Sequence, residues 1–302
     1  MYKKIKKFIE YKAKSGILNW LNDEKYLKLI YKLNTGKNLN LEKVETFNEK
    51  LQWLKLYDRK DIYTTMVDKY EVKKYVKNII GEEYIIPTIG VYNKFEEISF
   101  DELPNQFVIK CTHDSGSTIV CKDKTCFDID KAKTKINKAL KYNYFYQLRE
   151  WPYKNVIPRI IIEKYMELDK EEKMIDYKFF CFNGEPKFIY ISQGLENHKT
   201  ANISFFDMDF NREKFGRKDY KEFTKVPKKP VKFAKMKELA RILAKETSFL
   251  RVDFYEIDEK VYFSELTFFP CGGLLPFEPE KYDKILGELL QLPEKRIRNN
   301  EK

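Results

Sequence analysis

"LRVDFYEIDEKVYFSELTFFPCGG", residues 250–273, has the pattern of a hairpin of two apolar strands that carry charged residues in their middle. Alternate residues of a strand point to the same side, so Arg251 and Asp253 share one face, and Glu265 and Thr267 share one face of the partner strand. A buried carboxylate is costly unless it is paired. The hairpin therefore predicts a polar site built on a sheet.

The turn of this hairpin decides which faces coincide. A three-residue loop at 258–260 would place Asp253 opposite Glu265, whereas a two-residue loop would put the two carboxylates on opposite faces. In the first register, like charges lie about 4.5 to 5.5 Å apart at Cβ, which is destabilising. Either Arg251 offsets the repulsion as a structural ion pair, or a divalent cation binds, because Mg²⁺ is usually held by one or two carboxylates plus substrate phosphates.

A second polar stretch, "FVIKCTHDSGSTIV", ends a β-branched strand at Lys110 and continues into a turn. Backbone N–H groups and hydroxyls in such a turn suit an anion, and lysine adds a point charge. The same residue types also suit an ordinary turn without a ligand. Neither a Walker loop nor a G-x-G-x-x-G motif occurs in the chain. The turn residues in question are Asp114, Ser115, Gly116 and Ser117.

Two further segments carry weaker signals. "DKYEVKKYV" predicts a helix with Asp68 as N-cap, and Lys69 then lies in the first turn, where the helix dipole disfavours a cation. The unfavourable position of Lys69 indicates that it binds an anionic partner. "IIIEKYME" is a strand of three apolar residues that leads into Glu163 and stops at an elbow with free backbone groups.

The remaining pattern mixes helices with antiparallel hairpins, which predicts the α+β class. Apolar residues recur at three- and four-residue steps up to about residue 60, and Asn183-Gly184 is a hairpin turn signal. We expect a helical N-terminal segment at 1–64, a first lobe at 65–166 and a second lobe at 167–302.

The amino-acid composition limits the classes of partner that the protein is expected to bind. A formal net charge of +11 suits nucleic acid, an anionic membrane or an acidic substrate. We expect no nucleic acid, because lysines interleaved with aromatics, as in "KALKYNYFYQLREW", are more typical of a helix. The five cysteines form no C-x-x-C pair and there are two histidines, which favours a cytoplasmic location without structural zinc. The basic amphipathic start permits peripheral contact with the inner face of the membrane.

Taken in order, these pieces resemble the ATP-grasp enzymes. "FNEKLQWLKLYDRKDIYTTMVDKYEVKKYV", "DYKFFCFNGEPKFI" and the 250–273 hairpin more closely resemble the TupA-like ATP-grasp proteins of teichuronopeptide and capsular polysaccharide synthesis. The resemblance implies an ATP-grasp fold of two α+β lobes that clasp ATP, with Mg²⁺ bridging its phosphates. It covers roughly residues 45 to 279.

Carried over by position, the resemblance implies that Lys69 and Lys110 contact the ATP phosphates. The turn at 114–117 would close over those phosphates. The adenine and ribose side would be lined, largely through backbone groups, by Glu163, Lys164, Tyr165 and Met166.

The same resemblance implies that Asp253 and Glu265 hold Mg²⁺ and that Arg251 stabilises the transferred phosphoryl group. Thr267 stands where the family usually has asparagine, and its hydroxyl is a weaker third ligand. Lys178, in "DYKFF", would meet the phosphates or an acidic acceptor, and its alternative is an exposed strand lysine.

The implied chemistry is carboxylate activation by ATP followed by attack of an amine on the acyl phosphate, with an acidic cell-surface glycan or its precursor as the carboxylate substrate. Two alternatives stay open. An ATP-grasp kinase acting on a hydroxyl would use the same residues. A nucleotide-sugar glycosyltransferase would use Asp207-x-Asp209 to hold a metal and a diphosphate.

Overall fold

The computed structural model describes residues 16–166, 174–195 and 200–295. The predicted basic N-terminal helix and the basic C-terminal tail lie largely outside these residues. The helices are α1 (Asp23–Thr35), α2 (Phe47–Tyr57), α3 (Ile62–Val67), α4 (Glu71–Ile80), α5 (Ile129–Leu140), α6 (Phe145–Leu148), α7 (Phe233–Ala244) and α8 (Lys281–Leu289). The strands are β1 (Thr88–Tyr92), β2 (Phe107–Cys111), β3 (Ile119–Cys121), β4 (Ile160–Lys164), β5 (Ile175–Phe182), β6 (Glu185–Gln193), β7 (Asn202–Asp207), β8 (Gly216–Arg217), β9 (Phe249–Ile257), β10 (Lys260–Thr267) and β11 (Phe277–Glu278).

The smaller of the two main sheets has four antiparallel strands in the order β1-β4-β2-β3. Its burial alternates: Phe107 and Ile109 of β2 lie with Ile160 and Ile162 of β4 in one apolar cluster, covered by helix α5. The other face carries Lys110 and Glu163, which alternate with these apolar residues along their strands. One face of this sheet is therefore core, and the other carries Lys110 and Glu163 beside the buried Ile161.

The larger sheet has five antiparallel strands in the order β10-β9-β5-β6-β7. Its registers align one residue from each strand in a single row across the sheet. Paired residues of adjacent strands lie on the same face, so the row carries three charged side chains beside two aromatic ones. The row is Glu265, Asp253, Lys178, Tyr190 and Phe205.

The larger sheet shares its core with the N-terminal helices. Phe47, at the start of α2, contacts the rings of Phe182, Phe249 and Phe277 with ring centroids 4.9 to 6.1 Å apart. A capping box at Thr46 and Glu49 fixes the beginning of this helix. The two sheets meet where Ile85, just before β1, forms a parallel bridge with Phe263 of β10.

The last hairpin has the shorter of the two turns that the sequence left open. Its loop has two residues, Asp258 and Glu259, both at positive φ. A bulge between Phe263 and Glu265 then shifts the register by one residue and restores the pairing of Glu265 with Asp253. The two carboxylates consequently share a face, as the first register predicted.

Other local predictions differ from the structure in detail. The stretch "KALKYNYFYQLREW" at 138–151, interpreted as helical, contains the end of α5, a break at 141–144 and the short helix α6. Helix α4 begins at Glu71, after Asp68 and Lys69. The Asp68 carboxylate still caps its first turn by accepting hydrogen bonds from the N–H groups of Tyr70 and Glu71, at 2.8 and 3.2 Å.

The Asn183-Gly184 turn between β5 and β6 is confirmed. Within the described ranges, none of the helices is long and apolar enough to cross a membrane.

Candidate nucleotide and metal site

Arg251 bridges the two carboxylates of the last hairpin. Its Nε and Nη2 donate to Oδ1 and Oδ2 of Asp253, both at 2.7 Å, and Nη2 also donates to Oε1 of Glu265 at 2.6 Å. Thr267 Oγ1 donates to the same Glu265 oxygen at 3.2 Å. Arg251 thus supplies the positive charge that paired carboxylates need, which is the ion-pair alternative expected from the sequence.

Lys178 completes the surroundings of Asp253. Its Nζ lies 2.9 Å from Oδ2 of Asp253 and 3.3 Å from Oδ1 of Asp176. Lys178 is only 7% exposed and Asp253 is 0% exposed, so the interpretation of Lys178 as an exposed strand lysine was wrong. Burial would lower the pKa of the Lys178 ammonium, but Asp176 and Asp253 raise it above its usual value. The lysine is therefore held charged beside Asp253.

Glu265 is the accessible carboxylate of the pair, with 39% of its side chain exposed. Burial of its carboxyl group raises the pKa, but Arg251, Lys178 and Lys69 outweigh this and lower it to about 2. Lys69 comes from the segment before α4, whereas Glu265 lies on β10. The structure thus brings a lysine predicted to bind phosphate near a carboxylate predicted to bind metal.

The donor set can be compared with the needs of Mg²⁺, which takes six oxygen ligands and commonly uses one or two carboxylates plus phosphates and water. Among the described residues, none donates a hydrogen bond to Oε2 of Glu265. Asp253 accepts three hydrogen bonds, and a carboxylate has about four acceptor sites. The residues fit a cation held chiefly by Glu265, with Asp253 contributing at most one lone pair.

Lys69 and the turn after β2 lie together. The Lys69 ammonium donates to the backbone carbonyl of Asp114, and burial lowers its pKa. Ser117 Oγ donates to Oδ1 of Asp114 at 2.6 Å and accepts from the N–H of Cys111 at 2.8 Å. Ser115 and Gly116 are exposed at the tip. The turn therefore has a fixed base and an exposed tip next to the lysine.

The Asp68 carboxylate is buried and has a second partner besides the helix. Oδ2 of Asp68 accepts from Nη2 of Arg159 at 2.8 Å, and the same guanidinium nitrogen donates to Glu71 at 2.9 Å. Arg159 precedes β4, so this contact ties the start of α4 to the smaller sheet. Sequence reasoning did not single out Arg159.

The carboxylate of Glu163 forms ion pairs with two lysines. Lys73 Nζ and Lys110 Nζ each lie 2.5 Å from one of its carboxylate oxygens, and the Glu163 side chain is 7% exposed. Burial would raise the pKa of Glu163, but Lys110 and then Lys73 lower it below its usual value. Lys73 was missed, although it lies only four positions after Lys69 in the sequence.

Replacing Glu163 by glutamine should lower the free energy of unfolding by about 3 kcal/mol at pH 7, because two largely buried lysines would lose their counter-charge. The stabilisation by an ionised group with a lowered pKa is present above the unfolded-state pKa and is lost as pH falls. Urea unfolding at pH 7 and pH 3 should therefore show a difference between wild type and Glu163→Gln that shrinks at pH 3. The control is Glu96→Gln, which removes an exposed pair with Lys133 and should leave the urea midpoint close to that of wild type.

A cavity of about 780 Å³ opens beside the end of β4. Lys164 and Met166 line it from β4 and the elbow, Lys73 lines it from α4, and Tyr262 lines it from β10. Tyr165, between the two lining residues of the elbow, is half-buried. Lys73 also contacts Glu163, so the cavity adjoins the cluster that contains Lys110. Its size and position suit a flat heterocyclic group.

Two other sequence motifs have local structural roles. Asp207 Oδ1 accepts from the N–H groups of Asp209 and Asn211 at 2.9 and 2.8 Å, so the Asp-x-Asp motif shapes the turn after β7. In the Pro-Cys-Gly-Gly turn, the N–H groups of Gly272 and Gly273 donate to backbone carbonyls of the same turn. Those two N–H groups are therefore not available to an oxyanion.

The chain has two antiparallel sheets, one carrying lysines and the other a bridged carboxylate pair, and its match to a family model shows that it is an ATP-grasp protein. More specifically, it belongs to the TupA-like ATP-grasp family, whose model matches residues 49–291. ATP-grasp enzymes use ATP and Mg²⁺. No curated protein matches the chain.

Solved structures similar to this chain include D-alanine–D-alanine ligase from Bacillus anthracis complexed with ATP, at 16% identity, a TM-score of 0.36 and coverage of 67% of this chain and 53% of that one. N5-carboxyaminoimidazole synthetase from Staphylococcus aureus has 13% identity, a TM-score of 0.37 and coverage of 67% and 44%. D-alanine–D-alanine ligase from Helicobacter pylori has 17% identity, a TM-score of 0.40 and coverage of 81% and 69%. The chain spans about half the length of the first two.

Proposed function

We propose that the protein is an ATP-dependent carboxylate–amine ligase. The observation that carries the proposal is that cations from two segments lie near the accessible Glu265 of the larger sheet. Lys69, from the segment before α4, donates to the carbonyl of Asp114 in the turn after β2, and it lowers the pKa of Glu265. Lys110 of β2 precedes the same turn. A nucleoside triphosphate with its metal ion requires cations for its phosphates and a carboxylate oxygen, such as Oε2 of Glu265, for the metal. Ligases of this class need no protein nucleophile.

The proposed placement of ATP follows from these positions. The adenosine lies in the cavity lined by Lys164, Met166 and Tyr262. Tyr262 and Glu265 are three residues apart on β10, so roughly 10 Å of strand separates the cavity from the carboxylate. Lys69 and Lys110 bind phosphate oxygens along that path, under the tip of the turn at 114–117. Mg²⁺, when bound at Glu265 and Asp253, neutralises charge on the phosphates.

The reaction begins when a substrate carboxylate oxygen attacks the γ-phosphorus, the bond from that phosphorus to the bridging oxygen breaks, and ADP leaves. Arg251 and Lys69 stabilise charge on the transferred group, and Lys178 keeps Asp253 and Arg251 in place. An amine then attacks the acyl phosphate, and inorganic phosphate leaves. The product is an amide.

We further propose an acidic cell-surface polysaccharide, or its precursor, as the carboxylate substrate and an amino acid as the amine donor. The net charge of +11 supports an acidic substrate. Peripheral contact with the inner face of the membrane belongs to the same proposal. The division into 1–64, 65–166 and 167–302 is kept as a proposal, with the addition that α2 packs on the core of the larger sheet.

Mg-ATP should stabilise the wild-type protein in thermal unfolding, by about 2.7 kcal/mol at a ligand concentration 100 times Kd. Lys110→Met should remove most of this shift, because Lys110 is the β2 lysine that faces the proposed phosphate path. Lys122→Met, an exposed lysine just after β3, is the matched control and should leave the shift unchanged.

Two outcomes would redirect the proposal. Stabilisation by a UDP-sugar with Mn²⁺ and none by Mg-ATP would contradict an ATP-dependent activity. Release of ADP with a phosphorylated sugar hydroxyl as product, identified by mass spectrometry, would favour the kinase alternative. Release of ADP with a uronate-containing oligosaccharide and an amino acid, giving an amide, is the expected result.

A further inference from the structure

Glu150 lies in a segment whose backbone is held in an unusual conformation. Its neighbour Arg149 has φ of 54° and ψ of 38°, the left-handed region that non-glycine residues seldom adopt. Arg149 is fully buried, with Nε 3.1 Å from Oδ1 of Asp23 and its guanidinium over the ring of Tyr26 at 4.2 Å. This anchoring in α1 fixes the conformation of the chain that leads into Glu150.

Glu150 itself is 4% exposed. Its charged neighbours are Lys55, Arg251 and Glu265, all close enough for electrostatic interaction. Among the residues that the structure describes, however, none forms an ion pair or a side-chain hydrogen bond with the Glu150 carboxylate. Burial without such a partner disfavours the charged form, and it raises the pKa of Glu150 although Lys55 and Arg251 oppose the rise. A carboxyl group that is buried and has no ion-pair partner can receive a cationic ligand.

Lys55 does not fill this role. Its buried ammonium donates to Oε1 of Gln52 at 3.0 Å and to the carbonyls of Leu148 and Gly272 at 2.8 and 2.7 Å. An ammonium group has three N–H donors, so Lys55 is fully used. These bonds tie Leu148 to Gly272 in the Pro-Cys-Gly-Gly turn and bring Glu150 to the end of β10.

Two aromatic side chains lie near Glu150 along the chain. The N–H of Tyr153 donates to the backbone carbonyl of Glu150 at 3.1 Å, and the rings of Tyr153 and Tyr144 contact each other edge to face with centroids 4.9 Å apart. An aromatic pair beside a carboxylate suits an organic ammonium, which is attracted by ring faces. A second divalent cation would need about six oxygen ligands, which one carboxylate beside Arg251 does not offer.

We propose that Glu150, with Tyr144 and Tyr153, binds the ammonium group of the amine donor and accepts a proton from it. This inference rests on the proposed ligase function and names the residues that hold its second substrate. Arg149 acts as a positioning residue, because its side chain contacts Asp23 and Tyr26 and holds the backbone that presents Glu150.

In the proposed step, proton transfer to Glu150 precedes formation of the amide. The ammonium of the donor transfers one proton to the Glu150 carboxylate and becomes a neutral amine. Its lone pair attacks the carbonyl carbon of the acyl phosphate, the carbon–nitrogen bond forms, and the bond from that carbon to the phosphate oxygen breaks. The phosphate leaves with the electron pair and takes the second proton from nitrogen, while Glu150 later releases its proton to water.

Glu150→Gln separates the two halves of the reaction. The assay contains Mg-ATP and a uronate-containing oligosaccharide. Hydroxylamine traps the acyl phosphate as a hydroxamate, and it needs no general base because it is largely neutral near neutral pH. An amino acid is an ammonium at this pH and must lose a proton before it attacks. We expect the ratio of amide to hydroxamate formation to fall about 100-fold in Glu150→Gln, the scale of losing a general base. Glu213→Gln, a partly buried glutamate near Asp207 with a raised pKa, is the control and should keep the wild-type ratio.

A second measurement does not depend on turnover. Methylammonium chloride titrated into the full chain by calorimetry should bind to wild type and to Glu213→Gln, and binding should weaken at least tenfold in Glu150→Gln. Unchanged methylammonium binding, or an unchanged amide to hydroxamate ratio, would overturn the role of Glu150. If wild type forms neither ADP nor hydroxamate, the ligase proposal fails, and the methylammonium titration still decides whether Glu150 is an ammonium site.

Discussion

Replacing Glu265 by glutamine should lower turnover of Mg-ATP on the order of 10³-fold, the scale of losing one pre-organised electrostatic contact in a transition state. Glu265 is the carboxylate of the pair with a free oxygen, and Arg251, Lys178 and Lys69 hold its pKa at about 2, so it is ionised at every working pH. Glutamine keeps the size and one acceptor oxygen but removes the negative charge that a divalent cation requires.

The measurement is ADP release at saturating ATP over a range of Mg²⁺ concentrations, with circular dichroism to check the fold. Asp258→Asn is the matched control, since it makes the same carboxylate-to-amide change in the turn of the same hairpin, where asparagine tolerates the positive φ. Turnover of Glu265→Gln equal to that of the control would exclude Glu265 as an essential metal ligand.

Much of this hairpin could be predicted from the sequence. Its turn and its bulge could not, for a physical reason. Alternation along each strand gave the faces of Arg251, Asp253 and Glu265. The sequence left the loop length open and tied the pairing of Glu265 with Asp253 to the longer loop, but the structure combines the shorter loop with that pairing, because the bulge between Phe263 and Glu265 compensates. Periodicity does not reveal a bulge, since one extra residue leaves the composition of the strand unchanged.

The site was harder to predict where it depends on contacts between distant segments. Lys110 and Glu163 stood out as polar ends of apolar strands, and the structure joins them with Lys73. Nothing local distinguishes Glu150 from other glutamates: it follows the left-handed Arg149 and the carbonyl of Leu148, which Lys55 holds from 93 positions away in the chain. Such side chains are recognised only once the fold brings the segments together.

Lys178→Met should lower the free energy of unfolding by about 3 to 5 kcal/mol at pH 7, because removing one partner of a fully buried charge leaves the other uncompensated. Asp253 is completely buried, and Lys178 supplies one of its two cationic partners. Loss of that cation raises the pKa of Asp253, and a carboxylate with a raised pKa destabilises the fold more as pH rises. The loss measured by urea unfolding should therefore be smaller at pH 4 than at pH 7.

Lys187→Met, an exposed lysine on the adjacent strand β6, is the matched control and should change stability by less than about 0.5 kcal/mol. The double variant Lys178→Met with Asp253→Asn tests the cause, because a neutral amide no longer needs the second cation. It should recover at least half of the loss. A double variant no more stable than Lys178→Met alone would mean that Lys178 stabilises the sheet by packing rather than by its charge, and that it has no electrostatic role in holding Asp253 for the metal.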